Sequence, residues 1–421
     1  MTKVSHWETG KAEFEPQEKI SLSVSQKTCL KMEWCFLPTS YGSGDFLLRE
    51  NGRGSYFSCR GFLLPADGRK VRIMGKAQKK IKQSKTYKLT VIAVLACICV
   101  IATVACVATG SVPYTFSQVA EVFTINFKAK SVTEFFSNPD AEAWLLVWNV
   151  RLPRVICGGM VGICLSLAGC ILQGVMRNHL ASPSTIGVTS GASFVGYLTL
   201  VAFPQYYYLL PIGSIIGSFV TTMIIYALAY EKGVSPVKMI LSGMAVSAMF
   251  SAFNDIIRTF FSERIGDAVG HMVGSLNGTV WTDLKLIMPY MLVGVVICFF
   301  LPSKMNILML GDEMANSLGL RTEQFRLFLI AISSLLAGAS VAVAGLISFV
   351  GLIIPHIARL IIGSDYKYLF PTSILLGYSF VVICDTVGRI IMPVGELSVS
   401  IVLSFIGAPF FLFLLRKKNV T

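Results

Sequence analysis

Long uncharged hydrophobic segments alternate with short polar ones along most of this chain. Between residues 88 and 415 these segments are each roughly 20 residues long, and apolar positions follow one another without a regular polar alternation. A helix of about 20 apolar residues crosses a hydrocarbon core of ~30 Å, whereas the strands of a membrane barrel alternate apolar and polar positions. The pattern therefore predicts an all-α polytopic membrane protein.

The spacing of these segments predicts ten transmembrane helices. Leu327–Ala358 contains no Asp, Glu, Lys or Arg. Its 32 residues are too many for one helix across the membrane and barely enough for two. We divide this stretch at Gly345, expect one of the two helices to be short or broken, and take Gly351 and Pro355 as support for a break. The ten predicted helices are 88–110, 153–174, 185–203, 208–230, 238–261, 284–302, 326–345, 347–363, 369–391 and 397–415.

Composition excludes a soluble globular protein and separates the N-terminal part from the rest. Hydrophobic residues make up 54% of the 421 positions and charged residues only 14%, with a mean hydropathy of +0.68. Residues 1–85 hold 16 Lys and Arg against 8 Asp and Glu, which is most of the net charge of +13. We expect residues 1–73 to be a polar extension, either disordered or a mis-assigned start before Met74, and residues 74–87 to be a basic cytoplasmic tail. The membrane body then covers residues 88–421. The tail carries no nucleic-acid motif.

Basic residues in the short loops predict the orientation. With the basic tail inside, ten helices place both termini in the cytoplasm, and most Lys and Arg of the short loops fall inside as well. Arg151, Arg154 and Arg389 are exceptions at the predicted outer ends of helices. The second predicted helix enters from outside and the seventh from inside, so halves related by a repeat would be inverted, as in many transporters.

The loop at about residues 303–325 lies on the predicted inner side and has an imperfect amphipathic pattern. It either packs on the chain's own helices or offers a surface to a partner. No G-x-x-x-x-G-K-[ST] phosphate loop occurs in the sequence, so we predict that this chain is not itself an enzyme and has no cofactor. The cysteines of the membrane body lie within apolar segments and show no metal-ligand spacing, so we assign no metal site.

Several separated motifs resemble one known family. Arg151-Leu152-Pro153-Arg154 opens the second helix, LAGCILQGVMRNHLASPSTIGVTSGA follows at 167–192, and LGDEMANSLGL occupies 310–320. GLISFVGLIIPHIARLIIGSD (345–365) and DTVGRIIMPVGELSVSIVLSFIGAPFFLFLL (385–415) complete the set. Together they resemble the FecCD-like permease subunits of ATP-binding-cassette (ABC) importers for ferric siderophores, haem and cobalamin. The resemblance covers about residues 86–421.

The resemblance implies an architecture and a set of partners. It implies ten transmembrane helices per subunit and two subunits, identical or paralogous, around a path through a bacterial cytoplasmic membrane. Two cytoplasmic ATPase subunits and an extracytoplasmic solute-binding protein complete such an importer. The expected function is therefore the uptake of a ferric siderophore or related metal chelate, energised by the separate ATPase.

The resemblance also assigns roles to particular residues, each beside a simpler interpretation. Arg151, Arg154 and Arg389 match arginines that dock acidic residues of the binding protein, although arginines here also suit lipid phosphates. The loop matches a coupling segment for the ATPase, with turns at Gly311 and Gly319. Its other expected coupling residues are Asp312, Glu313, Met314, Leu318 and Arg321. The small residues Ser190, Gly191, Ala192 and Ser193 line the path or serve close helix packing.

Charges within the predicted helices leave a second functional class open. Asp255 lies one turn from Arg258, and Asp385 lies four residues before Arg389 on one helix. We prefer the interpretation that each acid neutralises its arginine. The alternative is an ion-coupled secondary transporter that uses Asp255 or Asp385, because charges within a membrane are costly and often functional.

Overall fold

The computed structural model describes residues 84–110, 144–230, 236–264, 273–392 and 395–416, the positions 115, 117, 119–122 and 271, and three short strands near the N-terminus. Most of the predicted extension 1–73 and of the basic tail 74–87 lies outside the described residues. The helices of the described part are α1 Lys85–Ala108, α2 Leu152–Val175, α3 Val188–Ala202, α4 Leu210–Ala229, α5 Pro236–Phe260, α6 Trp281–Phe299, α7 Pro302–Leu308, α8 Asp312–Ser317, α9 Thr322–Ala344, α10 Val350–Ile362, α11 Tyr366–Ile390 and α12 Val399–Arg416.

The chain divides into two units, Met1–Lys76 and Ala77–Thr421. The described part of the first unit is an antiparallel sheet of β1 Glu33–Cys35, β2 Leu47–Glu50 and β3 Arg53–Tyr56. In this sheet β2 lies between the other two strands. The second unit contains all twelve helices.

Helix α2 is the centre of the second unit. It packs against α11, α9, α10 and α6, and most of its side chains are buried. Glycines allow the close approach: a Cβ at Gly162 would overlap the carbonyl of Gly377 on α11, and a Cβ at Gly169 would overlap the carbonyl of Gly351 on α10. Small residues at helix crossings are typical of membrane proteins, where van der Waals contact drives helix association.

Seven helices of the described part are long and apolar enough to cross a membrane, and three shorter apolar ones accompany them. The shorter ones are α3, α10 and the apolar part of α12, Val399–Phe413. Each of the ten hydrophobic segments marked in the sequence corresponds to one of these helices. The all-helical, multi-pass character of the body is therefore confirmed.

The uncharged stretch is interrupted at the predicted position. Helix α9 ends at Ala344, Gly345 has a φ of 65°, and α10 begins only at Val350. The 13-residue α10 is the predicted short helix. Gly351 and Pro355 were the wrong signals for the break, because both lie inside α10: Pro355 is a full turn into the helix, and Gly351 provides the close contact with α2.

The second membrane helix begins earlier than predicted. Leu145–Arg151 forms a π-helical turn that continues directly into α2, so that the helical segment runs from Leu145 to Val175. The predicted helix, 153–174, did not include this turn. Trp148 stacks near Trp144, and its carbonyl accepts a hydrogen bond from Trp281 of α6 at 2.8 Å, which fixes this extra turn.

Candidate functional site

The end of the second unit that is predicted to face outside, called here the outer end, contains a buried ion-pair cluster. Arg154 of α2 donates to both carboxylate oxygens of Asp385 on α11, at 3.0 Å from Nε to Oδ2 and 2.9 Å from Nη2 to Oδ1. Its Nη1 also lies 2.6 Å from Oε2 of Glu396. Arg154 is 4% exposed and Asp385 2%, so this is a largely desolvated pair with bidentate geometry.

Arg389 completes the cluster from the same face of α11. Its Nε lies 3.4 Å from Asp385, and its Nη2 donates to the carbonyl of Cys106 and to the hydroxyl of Thr386. The i, i+4 ion pair expected between Asp385 and Arg389 is therefore confirmed. The carboxylate of Asp385 contacts both Arg154 and Arg389, so each buried guanidinium group has an acidic partner.

Arg151 lies beside this cluster and binds the end of α1. Its Nη1 donates to the carbonyls of Val107 and Ala108 at 3.1 and 2.9 Å. These carbonyls belong to the last turn of α1, where helical partners are missing and a cation is favoured. A small cavity of about 90 Å³ is lined by Gly110, Leu146, Val150, Arg151, Arg154, Arg389 and Glu396. All three predicted docking arginines thus meet at one place, and their docking role stays a prediction.

The other predicted intramembrane pair is exposed. Arg258 lies 3.1 Å from Asp255, one turn away on α5, with the side chains 47% and 66% exposed. The expected pairing is confirmed. Nothing in its described surroundings encloses the pair as Asp385 is enclosed.

The opposite end, called here the inner end, contains the predicted coupling loop. The loop folds as two short helices, α7 and α8, followed directly by α9. Gly311 and Gly319 flank α8 with φ angles of 111° and 82°, which glycine adopts without strain. Met314 and Leu318 are 57% and 58% exposed, and Glu313 and Arg321 are also exposed. The predicted turns and the predicted apolar surface are both present.

Asp312 holds α8 to two longer elements. Its Oδ1 accepts from Arg177, in the turn after α2, and from Arg326 of α9, the latter at 2.7 Å. Arg326 also contacts Glu323 at 3.2 Å. Although burial by itself raises the pKa of Asp312, hydrogen bonds and charge from Arg326 and Arg177 hold that pKa below its usual value. Asp312 was predicted from the motif, but its partners Arg177 and Arg326 were not, because their spacing from Asp312 shows no regular pattern.

The predicted path residues occupy α3. Gly191, Ala192 and Ser193 are buried, and a Cβ at Gly191 would overlap Thr221 of α4. Ser190 is half-buried and donates to the carbonyl of Gly187 at 2.7 Å. Their small size is accounted for by packing against neighbouring helices, and their place along a path stays a prediction.

A cavity that the sequence analysis missed lies between the turn after α2 and the start of α10. It has a volume of about 190 Å³ and brings together four hydroxyl side chains. Its residues are Ser182, Ser184, Thr185, Ser348, Phe349, Leu352 and Phe411. The S-P-S-T run at 182–185 was a visible signal. Among the described residues, no group of three or more His, Cys, Asp or Glu is placed to hold a metal ion.

The helical body with its buried arginine cluster and exposed loop helices is that of a multi-pass membrane permease. Comparison with known proteins gives the family: residues 87–417 match the FecCD transport family, and the chain belongs to it.

Two curated relatives and one solved structure illustrate the similarity. The chain is 38% identical over 273 residues to the Fe(3+)-citrate import system permease YfmE of Bacillus subtilis, covering 64% of this chain and 82% of that protein. It is 36% identical to the cobalamin import system permease BtuC of Halobacterium salinarum, covering 66% of this chain and 75% of the relative. An inward-facing structure of a metal-chelate type ABC transporter is 29% identical with a TM-score of 0.66, covering 78% of this chain and 99% of that one. Relatives of this chain are therefore non-enzymatic permease subunits of ABC importers.

Proposed function

We propose that this chain is the transmembrane permease subunit of an ABC importer that moves a ferric siderophore or related metal chelate into the cytoplasm. Similarity to iron-citrate and cobalamin permeases supports a metal chelate as cargo. In this proposal ten helices cross the membrane, with inverted-repeat halves and both termini in the cytoplasm. Two such subunits, identical or paralogous, enclose the path.

The observation that carries the proposal is the attachment of α8. This short helix offers Met314 and Leu318 to the surroundings while Asp312 ties it to Arg177 and Arg326. A partner that binds the exposed face and moves it therefore pulls on the end of α2 and the start of α9. ATP-driven movement of a cytoplasmic ATPase would reach the helix core by this route.

At the outer end, we propose that Arg151, Arg154 and Arg389 form the docking point for acidic residues of the binding protein. Arg154 and Arg389 share the carboxylate of Asp385, Arg154 also contacts Glu396, and Arg151 lies beside them, so three guanidinium groups are gathered at this end. Guanidinium groups pair well with carboxylates in bidentate geometry. The small cavity gives an acidic side chain access to these groups.

Docking is tested by substituting Arg389 with Ala and measuring both binding-protein affinity and thermal unfolding. We expect roughly a tenfold or greater loss of affinity, as for the loss of a charged pair at an interface. Arg258→Ala, at the exposed pair on α5, is the control. If the Arg389 variant binds the binding protein with unchanged affinity below its unfolding temperature, Arg389 is not part of the docking point.

Transport is tested with the chain reconstituted in liposomes together with its ATPase and binding protein. Uptake of iron chelate should require ATP and persist when an ionophore collapses ion gradients. Uptake driven by an ion gradient without the ATPase would overturn the proposal. No observation favours that alternative, and Asp385 is already bound to two arginines.

A further inference from the structure

A cleft of about 550 Å³ opens at the inner end, between the last turn of α6 and the first two turns of α9. Its wall is apolar: Ile297 and Phe300 line it from α6 and the adjoining turn, and Phe325 and Phe328 line it from α9. Phe300 is 78% exposed and Phe328 44%. The exposed face of α6 continues away from the cleft with Val293 and Val296, so the apolar wall is continuous with a surface suited to acyl chains.

The rim of this cleft is basic. Lys304 of α7 and Arg321, the residue just before α9, both line it and both are exposed. No carboxylate lines the cleft among the described residues, and within that same part of the chain neither side chain forms an ion pair. Two cationic side chains without an acidic partner in the described structure therefore lie at the rim of a cleft with an apolar wall.

Two acids of the same region are engaged with other side chains. Asp312 binds Arg177 and Arg326, and Glu323 binds Arg326 and accepts a hydrogen bond from Tyr226 at 2.9 Å. The N-terminus of the 23-residue α9 adds the positive end of a helix dipole at the same place. A ligand that complements this cleft therefore carries an anionic group attached to an apolar chain.

We propose that this cleft binds one anionic phospholipid, with its phosphate between Lys304 and Arg321 and its acyl chains along Phe300 and Phe328. Basic pockets between helices at the cytoplasmic surface are suited to anionic headgroups. The assignment to the inner leaflet rests on the orientation proposed above, whereas binding itself does not. A bound lipid would lie directly against Gly319 and Arg321, at the end of the coupling loop, and would brace that loop.

The test uses the full-length chain, purified in detergent without partners. Binding of phosphatidylglycerol and of phosphatidylcholine with the same acyl chains is compared by native mass spectrometry, and inorganic phosphate is added as a competitor. We expect a clear preference for phosphatidylglycerol, resistant to millimolar phosphate. Lys304→Gln with Arg321→Gln should weaken phosphatidylglycerol binding by roughly tenfold, since each cation near an anionic lipid contributes several-fold.

The controls separate this site from general basicity and from a protein partner. Lys304→Arg with Arg321→Lys should keep the preference, and Lys367→Gln, a basic residue of α11 at the same end, should leave it unchanged.

Equal binding of both lipids, or an unaltered preference in the double Gln variant, would overturn the proposal. Displacement by phosphate would assign the rim to a free anion. Association of the double Gln variant with the ATPase is measured in a separate co-purification, and its loss with unaltered lipid binding would assign the cleft to the ATPase. Because no transport is measured, failure here is distinct from failure of the proposed function.

Discussion

Arg154 and Asp385 join α2 to α11 through two parallel hydrogen bonds, with both side chains buried. The pair lies near the outer end of α2 and α11, which pack more extensively against each other than any other two helices in the described part of the chain. Arg389 depends on the same carboxylate. Asp385 therefore contacts both buried arginines and offsets their charge, and Glu396 assists it on Arg154.

Substitution of Asp385 by Asn should destabilise the protein strongly. The change leaves Arg154 and Arg389 buried without their shared counter-ion, and breaking one side of a buried pair costs about 3–5 kcal/mol. Thermal unfolding in detergent measures the effect. Asp255→Asn at the exposed pair on α5 is the matched control and should cost less than about 1 kcal/mol. Equal shifts in the two variants would show that Asp385 has no special structural role.

The hydrophobic pattern predicted the helices well because a membrane requires long, continuous apolar segments with internal hydrogen bonding. It placed the break near Gly345 but misread Gly351 and Pro355, because a glycine can serve close packing and a proline can be accommodated within a helix. It also missed the helical turn before Arg151. That turn is stabilised by tertiary contacts of Trp148 with Trp144 and Trp281, which a local pattern does not reveal.

The candidate sites were predicted unevenly for a similar reason. Motifs identified Arg154, Arg389 and Asp312, because each lies in a short recognisable segment. Their partners come from distant parts of the chain: Arg177 is 135 residues from Asp312. Arg177 also has a positive φ of 47°, a backbone conformation set by the turn after α2 that the sequence pattern does not predict.

Substitution of Asp312 by Asn should uncouple ATP hydrolysis from transport. The neutral amide loses its charge interaction with Arg177 and Arg326, while Arg326 keeps Glu323 and the chain keeps its fold. We expect uptake per ATP hydrolysed to fall by roughly tenfold, the effect of about 1.4 kcal/mol of lost coupling. Glu263→Gln, an exposed acid outside this network, is the control. Normal uptake per ATP in the Asp312 variant would contradict the proposed route through α8.

Replacement of Met314 and Leu318 by Ser should weaken binding of the ATPase without unfolding the permease. Both side chains are more than half exposed in this chain, so their removal costs little packing here. Their burial in an interface would contribute roughly 1–2 kcal/mol each. Co-purification with the ATPase and thermal unfolding are measured together. Val237→Ser, an exposed apolar position in the first turn of α5, should change neither, and an unaffected complex in the double variant would contradict the coupling role.

His271 should make stability depend on acidity. Its side chain is buried, its Nε2 has no hydrogen-bond partner in the described structure, and burial lowers the pKa of His271 from 6.5 to about 4. Because the folded-state pKa is lower, the unfolded chain binds a proton first as pH falls below 6.5. Stability should therefore decline between pH 6.5 and 4, by roughly 3 kcal/mol over the whole range for a shift of about two and a half units.

This dependence is measured as the unfolding temperature at several pH values between 4.5 and 7.5, for the wild-type chain and His271→Gln. The variant loses packing beside Gly196, so its stability at neutral pH falls, but most of the acid-dependent decline should disappear. His179→Gln, at a half-buried histidine in the turn after α2, should keep most of the decline. An identical decline in wild type and His271→Gln would mean that other groups, most directly the remaining histidines and the carboxylates, control acid stability.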